Sequence, residues 1–372
     1  MEYTILKDTI TKKGLDTYLK GRVFDNLLWP NFFPFKQTTR LSTETLIGAK
    51  GNRVAADVVS YDTPAPQKKR PAVDKMVVDI PAIRVSRRMS EKDLNDYFML
   101  LALADDASQK QALELVFDDV NFAIDAVNAR LEWLALQLLS HGTITLDGTV
   151  NVGPITGQID YQLPAANKEY IGSSGGTAAA THYWTAAVAA TNDPITDIRS
   201  VVREAKGYGV NLRYLTMNES KWADLQQSTA MQNFCRAFLV DGVAYRTVPS
   251  LAVANSALVA ENLPKIIVLD TRITIENSDH TQTSVDPWLH TDDRFVTFLE
   301  DLQVGDMYWA KTAEEWAPPK QAMHSKAGPI LVSKYSETNP VSEWTVGLLN
   351  AFPSWPTIDR AWILNTESHT AF

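Results

Sequence analysis

Any chemistry in this chain would have to be built from six histidines, a single cysteine and a few acidic pairs. The histidines, His141, His182, His280, His290, His324 and His369, fall in no HxH, HExxH or HxxE pattern, the spacings that bring two zinc ligands together. LHTDDR sets His290 close to Asp292 and Asp293, donors able to hold a metal in principle, but the stretch reads as a solvated loop. GSSGG, Gly172 to Gly176, lacks the Lys-Ser/Thr that a phosphate-cradling loop requires and reads as a flexible linker, and no segment offers a nucleophile elbow. Cys235 lies in NFCRAF, a packing environment. Asp118 and Asp119 are sequence neighbours on a helix, do not face one another, and make a poor acid/base pair. No catalytic constellation, metal set or cofactor cradle emerges, so the expectation is a non-enzyme without cofactor.

The elements around these residues are more informative. Leu113, Val116, Phe117, Val120, Ile124, Val127, Leu131, Leu134 and Leu138 recur at spacings of three and four and form one helical stripe. Asp118, Asp119, Asn121, Asp125, Asn128 and Glu132 are expected on the opposite side. Gly142 suits a left-handed C-terminal residue, and His141 suits the last turn. A helix from about Ser108 to His141 would run roughly 50 Å at 1.5 Å per residue, longer than a typical domain is wide. No second helix of similar length follows, so it reads as a strut in an extended molecule.

Before the strut, residues 1–35 read as an arm, with an amphipathic segment from Ile5 to Leu19 and the aromatic LLWPNFFPF, Leu27 to Phe35, expected to pack irregularly. It lies either on its own core or on a neighbour. Residues 36–90 carry strand-like runs at Val54 to Tyr61 and Lys75 to Val85, a two-stranded ribbon whose tip holds Pro64, Pro66, Lys68, Lys69, Arg70 and Pro71. Ser90 and Asp93 form a capping-box variant, opening a helix at Glu91 with Leu94, Phe98 and Leu101 on its apolar side. After the strut come two strands (TITLDGTVNV, ITGQIDYQL) and a small-residue linker, Gly172 to Ala180. Asp193 and Pro194 then open an α/β region of residues 190–312: NLRYLTMN, KIIVLD, TRITIENSDHTQ and RFVTFLED as one sheet, ESKWADLQQ and SALVAENLP as helices, and GDMYWAK closing it. Residues 313–372, rich in Trp and Pro, are expected to return as strands that cover the strut, completing a peripheral unit begun by residues 91–189.

Bulk properties narrow the class. The chain has 372 residues, 45% apolar and 21% charged, ordinary for a soluble globular protein. No apolar run approaches the roughly 20 residues that span a bilayer, and the N-terminus shows no signal-peptide core. One cysteine excludes an internal disulfide framework. The net charge of −9 argues against a dedicated nucleic-acid binder but not against a container for nucleic acid.

The order arm, ribbon, long helix, linker, α/β unit and returning strands resembles the major capsid proteins of tailed bacteriophages, the Hong Kong 97-type fold. In detail it is similar to the lambda-type major head protein family. The stretches that carry the likeness are NFFPF, VSYDTPAPQKKRPAVDKMVVDIPAIRVSRRMSEKDL, NARLEWLALQLLSHGTITLDG, HYWTAAVAATNDPITDIRSVVREAKGYGVNLRYLTMNESKWADL and NPVSEWTVGLLNAFPSWP. The resemblance implies an α+β fold with an N-terminal arm, an extended β-ribbon loop, a spine helix, a peripheral domain and an axial α/β domain.

It further implies self-assembly into hexamers and pentamers of an icosahedral head that encloses double-stranded DNA without sequence-specific binding. The head would be assembled in the bacterial host cytoplasm and become part of the virion. An arm of about 30 residues is short for a fused scaffolding domain, so a separate scaffolding protein is expected, with a portal at one vertex and a decoration protein as a further candidate partner. No membrane is involved. The cross-linking branch of the fold joins a ribbon lysine to a neighbour's asparagine. Lys68 or Lys69 with Asn339 or Asn350 would be the pair here, but the lambda-type likeness implies no cross-link. Candidate contacts between subunits are Lys68, Lys69 and Arg70 at the ribbon tip against Asp118, Asp119, Asp125 and Glu132 of a neighbour's helix, the alternative being a solvated basic turn. The rivals are an encapsulin-type nanocompartment shell and an α/β enzyme built on residues 190–310.

Overall fold

A helix with one apolar stripe needs one wall to pack on, and the spine helix has more than one. In this computed structural model, residues 12–20, 27–47, 74–103, 106–148, 151, 153, 156–172, 179–238, 248–277, 279–288, 294–320 and 322–368 are described. Chain order begins with helices α1 (Lys12–Lys20) and α2 (Trp29–Phe32), then strands β1 (Phe35–Thr38), β2 (Ser42–Ile47), β3 (Asp74–Asp79) and β4 (Ala82–Met89). Helix α3 (Glu91–Ala102) leads to the spine helix α4 (Asp106–His141), followed by β5 (Thr143–Leu146), β6 (Gly157–Asp160) and β7 (Lys168–Tyr170). The α/β region contributes α5 (Pro194–Gly207), β8 (Tyr214–Asn218), α6 (Glu219–Gln227), α7 (Thr229–Phe238), α8 (Leu251–Ala260), β9 (Lys265–Leu269), β10 (Ile273–Glu276), β11 (Gln282–Val285) and β12 (Phe295–Leu299). The chain closes with β13 (Asp306–Ala310), α9 (Ala313–Trp316), β14 (Met323–Ala327), β15 (Ile330–Thr338), β16 (Val341–Ser354) and β17 (Trp362–Asn365).

Local chemistry sets the helix ends as expected. Ser90 accepts from the Asp93 amide while Asp93 accepts from the Ser90 amide, a complete capping box at α3. Helix α4 is continuous over 36 residues and stops at Gly142, whose φ of +70° suits a residue without Cβ. Asp193 caps α5 with Pro194 in its first turn, and Asn218 caps α6.

Two sheets hold two cores. The larger sheet runs β1-β13-β16-β15-β14, with β4 also pairing β16. The second runs β7-β17-β12-β8-β9 and buries one face under α5, α6, α7 and α8. Its other face meets the spine: Phe295 and Leu299 belong to the core around α4, Val296 and Phe298 to the core under the helices. Thr297 donates to the Leu139 carbonyl at 2.7 Å. The spine helix therefore enters between the sheets, and Leu131 to Ser140 are all buried.

Several sequence expectations change. The run Lys75 to Val85 is two strands, because Pro81 has no amide to continue a ladder: β3 pairs β2, and after the corner β4 pairs β16. The strand expected at Val54 to Tyr61 lies outside the described residues, as does most of the linker Gly172 to Ala180. LLWPNFFPF is irregular apart from one helical turn, α2, and the first residue of a strand, β1. Trp29, Phe32 and Phe33 are buried, and β1 pairs parallel with β13. Helix α3 buries Leu94 and Tyr97, while Phe98 stays exposed. β10 and β11 form a separate hairpin, and GDMYWAK, as β13, joins the larger sheet. β17 returns to the second sheet and faces the spine from there through Ile363, so the C-terminal strands reach the spine from two sheets instead of one.

Besides the passage through the spine from β4 to β7, the chain crosses between the sheets at two adjacent places. β12 continues through residues 300–305 into β13, and β16 continues through residues 355–361 into β17. Because β13 pairs β16 and β12 pairs β17, one antiparallel strap runs through both sheets. Arg360 meets Glu300 at 3.1 Å, and Thr357 donates to the Val304 carbonyl at 2.8 Å across the two connectors.

Gly347 on β16 is where the spine touches the larger sheet most closely. A Cβ built there would stand 2.6 Å from the Ala123 carbonyl oxygen, a backbone atom that cannot swing away. Gly347→Ala should destabilise the subunit by about 1–3 kcal/mol, read as a lower urea midpoint. A second test uses Asp197, which is buried and accepts from Trp184 Nε1 at 2.8 Å. Burial lifts its pKa to about 6 from the ordinary 3.8. The folded state then holds this proton more tightly than the unfolded state. The resulting stabilisation is complete below pH 3.8 and disappears as pH rises through 6. It amounts to about 3 kcal/mol at most, at 1.36 kcal/mol per pKa unit. Asp197→Asn keeps the acceptor without the charge, so its stability advantage over the parent should grow between pH 4 and pH 7 in urea titrations.

Candidate assembly surfaces

β2 and β3 pair from Ser42 opposite Asp79 to Ile47 opposite Asp74, and their root is closed by the Ile80 amide donating to the Leu41 carbonyl at 2.7 Å. Among the described residues this two-stranded ribbon bonds to no third strand. Two strands alone are marginal in water. Its expected tip, Lys68, Lys69 and Arg70, lies outside the described residues.

The acidic side of the spine helix serves the subunit itself. Arg87, Thr345 and Lys334 stand opposite one another on β4, β16 and β15, in one row across three strands. Asp118 receives Arg87 Nη1 at 2.9 Å, and Asp119 receives Arg87 Nε at 3.4 Å. Lys334 is buried beside Asp119 and Glu343; burial lowers its pKa, and the two carboxylates oppose that shift. Burial raises the pKa of Asp119, against the pull of Lys334 and Arg87. Asp118 keeps 68% of its side chain exposed, and Asp125 is exposed.

Glu132 is not on an outer face. It is 2% exposed and accepts the Leu28 amide at 3.2 Å and the Trp29 amide at 3.0 Å. These are donors left over at the start of α2, so the carboxylate fixes the arm to the spine. Burial raises its pKa, and the two amides offset part of that. Asp119 and Glu132 are thereby removed from the expected inter-subunit set: the end of the helix on which a polar side was read is enclosed by arm and sheets. Arg87, Lys334 and Glu343 were missed. A lysine inside the apolar run ILVSKYS was the available signal, since such a residue is buried only with a partner.

Among the described residues, the most exposed large apolar side chains gather in two places, besides single ones such as Val77 and Val259. Phe98, Met99 and Leu103 are exposed on and just after α3. At the ribbon root a groove of about 550 Å³ is lined by Leu41, Ile80, Arg84, Lys311 and Trp316, the indole being 70% exposed with Lys311 Nζ 4.9 Å from its centre. Nothing here is arranged for catalysis. Cys235 is buried in α7 and its thiol is pushed up to about 11, which leaves almost no thiolate at neutral pH. His290, Asp292 and Asp293 lie outside the described residues, and no cluster with metal-ligand character occurs among those described.

Residues 19–359 match the family of phage major capsid protein E. The chain belongs to that family. It is a structural protein of the phage capsid, not an enzyme. No curated protein matches the chain. Among solved structures, a prophage protein of E. coli CFT073 described as a capsid protein shares the fold at 16% identity and a TM-score of 0.56, over 96% of this chain and 99% of that one. A phage-related protein from Bordetella bronchiseptica RB50 shares it at 13% identity and a TM-score of 0.51, over 95% and 96% of the two chains. The α+β Hong Kong 97-type architecture expected from the sequence is thus the one this capsid protein adopts. Among its described residues no helix is long and apolar enough to cross a membrane.

The Glu132 contact ties the capsid protein's arm to its spine and is directly testable. Glu132→Ala strands two buried amides and should cost about 1–3 kcal/mol. Limited proteolysis should then release the segment before Trp29 well before the rest of the subunit unfolds.

Proposed function

We propose that the chain is the repeating unit of a tailed-phage head, closing into hexamers and pentamers of an icosahedral shell around double-stranded DNA. The observation that supports this reading is the β2–β3 ribbon, which bonds to no third strand among the described residues. A ribbon that cannot bury itself needs a neighbour, and a heterologous contact that repeats by rotation closes a ring. In this reading the core around the spine is a peripheral unit, which takes β13 from the expected stretch 190–312, and the core under α5 to α8 is an axial unit, which β7 and β17 join from outside that stretch. A separate scaffolding protein would guide closure in the host cytoplasm and a portal would occupy one vertex, with a decoration protein as a further candidate on the outside. The net charge of −9 favours a wall that does not grip the packaged duplex.

The ribbon tip reaches, in the same reading, towards the acidic residues a neighbour still exposes, Asp118 and Asp125. One exposed ion pair contributes only about 0–1 kcal/mol, but every subunit repeats it. Exchanging Lys68, Lys69 and Arg70 together for Glu should change subunit stability by no more than about 0.5 kcal/mol. Electron microscopy of the chain co-expressed with its scaffolding partner should show closed shells for the parent and few or misshapen ones for the variant. Normal shells from the variant would remove the tip from assembly. A parent chain that forms no shells would sink the head reading, and shells filled with an enzyme instead of DNA would favour a nanocompartment.

A further inference from the structure

The two exposed apolar surfaces are reached from opposite ends of one strand. The groove takes its residues from around the start of β4, at Ala82 and Arg84. Helix α3 follows directly on the end of β4, through Met89 and Ser90. The eight residues of β4, roughly 25 Å at about 3.3 Å per residue, lead from the groove to the start of α3, and Met99 and Leu103 follow at the far end of that helix. The surfaces also differ in kind. The α3 surface is convex, with Met99 at 67% and Leu103 at 66% exposure, Asp96 one turn before Met99, and along the rest of the helix the exposed carboxylates of Glu91 and Asp93 outweighing the one exposed cation, Lys92. The ribbon-root surface is concave, with Leu41 at 59% and Trp316 at 70% exposure, flanked by the cations Arg84 and Lys311.

We propose that the occupant of the ribbon-root groove is a second copy of this chain, which inserts Met99 and Leu103 of its α3 between Leu41 and Trp316 and sets Asp96 against Lys311. Apolar knob meets apolar groove, and acidic rim meets basic rim, so shape and charge select the same partner. Two unlike surfaces can pair reciprocally about a twofold, which stops at a dimer, or be passed on from copy to copy, which a shell requires. Here they join head to tail, the arrangement that closes by rotation into a ring. This inference rests on the shell reading and specifies which surfaces of adjacent subunits meet.

Disulfide trapping in assembled shells tests it. The single native cysteine, Cys235, is buried and does not compete. Met99→Cys combined with Leu41→Cys, oxidised after assembly, should yield a ladder of covalent multimers on a non-reducing gel, and each single variant should stay monomeric. Intact shells of the double variant that yield only monomers would overturn the proposal. Charge exchange gives a second, independent reading. Asp96→Lys and Lys311→Glu should each lower shell yield by about tenfold, the effect of 1.4 kcal/mol on an equilibrium constant, and the two together should restore it. A double exchange no better than the single ones would overturn the pairing. A parent chain that closes no shell would remove the shell reading, and this inference with it.

Discussion

The last ten residues of the spine before His141 admit no water on any side, and most of the architecture answers to that. A helix enclosed all round needs several walls. The larger sheet supplies one by letting Gly347 meet the Ala123 backbone, and the second sheet supplies another through Thr297. The arm supplies a third, with Trp29, Phe32 and Phe33 laid into the same core. Polar groups carried into such a place must find partners. Gln137 donates to the Pro287 carbonyl, and Glu132 accepts two amides of the arm. The arm is therefore part of the subunit's fold, and Leu15 and Leu19 of α1 are buried in the same core.

Charge is used in the same economical way. Arg87 and Lys334 lie in a row with Thr345 between them, facing the Asp118–Asp119 pair of the spine. Buried ions add little net stability, because desolvation cancels most of the attraction. What the row secures is register. Sliding β15 by one residue would turn Lys334 to the opposite face of the sheet, away from Asp119 and Glu343. A strand pair as long as β15–β16 has many apolar registers, and a misplaced buried lysine excludes the wrong ones.

Much of this was legible beforehand, and the failures share a cause. The spine's length, its stop at Gly142, the capping box at Ser90 and the opening of α5 at Asp193 are local signals and appear where they were read, whereas α7 went unread and α8 starts five residues before SALVAENLP. What the sequence concealed depends on enclosure and on partner choice. Glu132 has the spacing of a solvated residue, and only the arm's path makes it a buried acceptor. GDMYWAK reads as a strand without saying which sheet it joins, and β17 is likewise a strand whose partner is set by topology. The assembly surfaces were harder still. Phe98 looked like core because three-residue spacing counts apolar residues and not neighbours, while Trp316 in EEWAPP carries no periodicity at all.

The paired crossing between the sheets has a mechanical consequence. A single connector would let one sheet swing about a point; two adjacent connectors, clasped by Arg360 to Glu300 and Thr357 to Val304, restrict that swing to one axis. Each strand of the pair also continues through a short irregular connector, from β12 into β13 and from β16 into β17. Tension that draws the sheets apart along the strands pulls the β12–β17 and β13–β16 ladders lengthwise, so their hydrogen bonds share the load and yield together instead of unzipping singly. A wall under outward pressure from a tightly packed filling would, at this junction, be loaded in its stiffest direction.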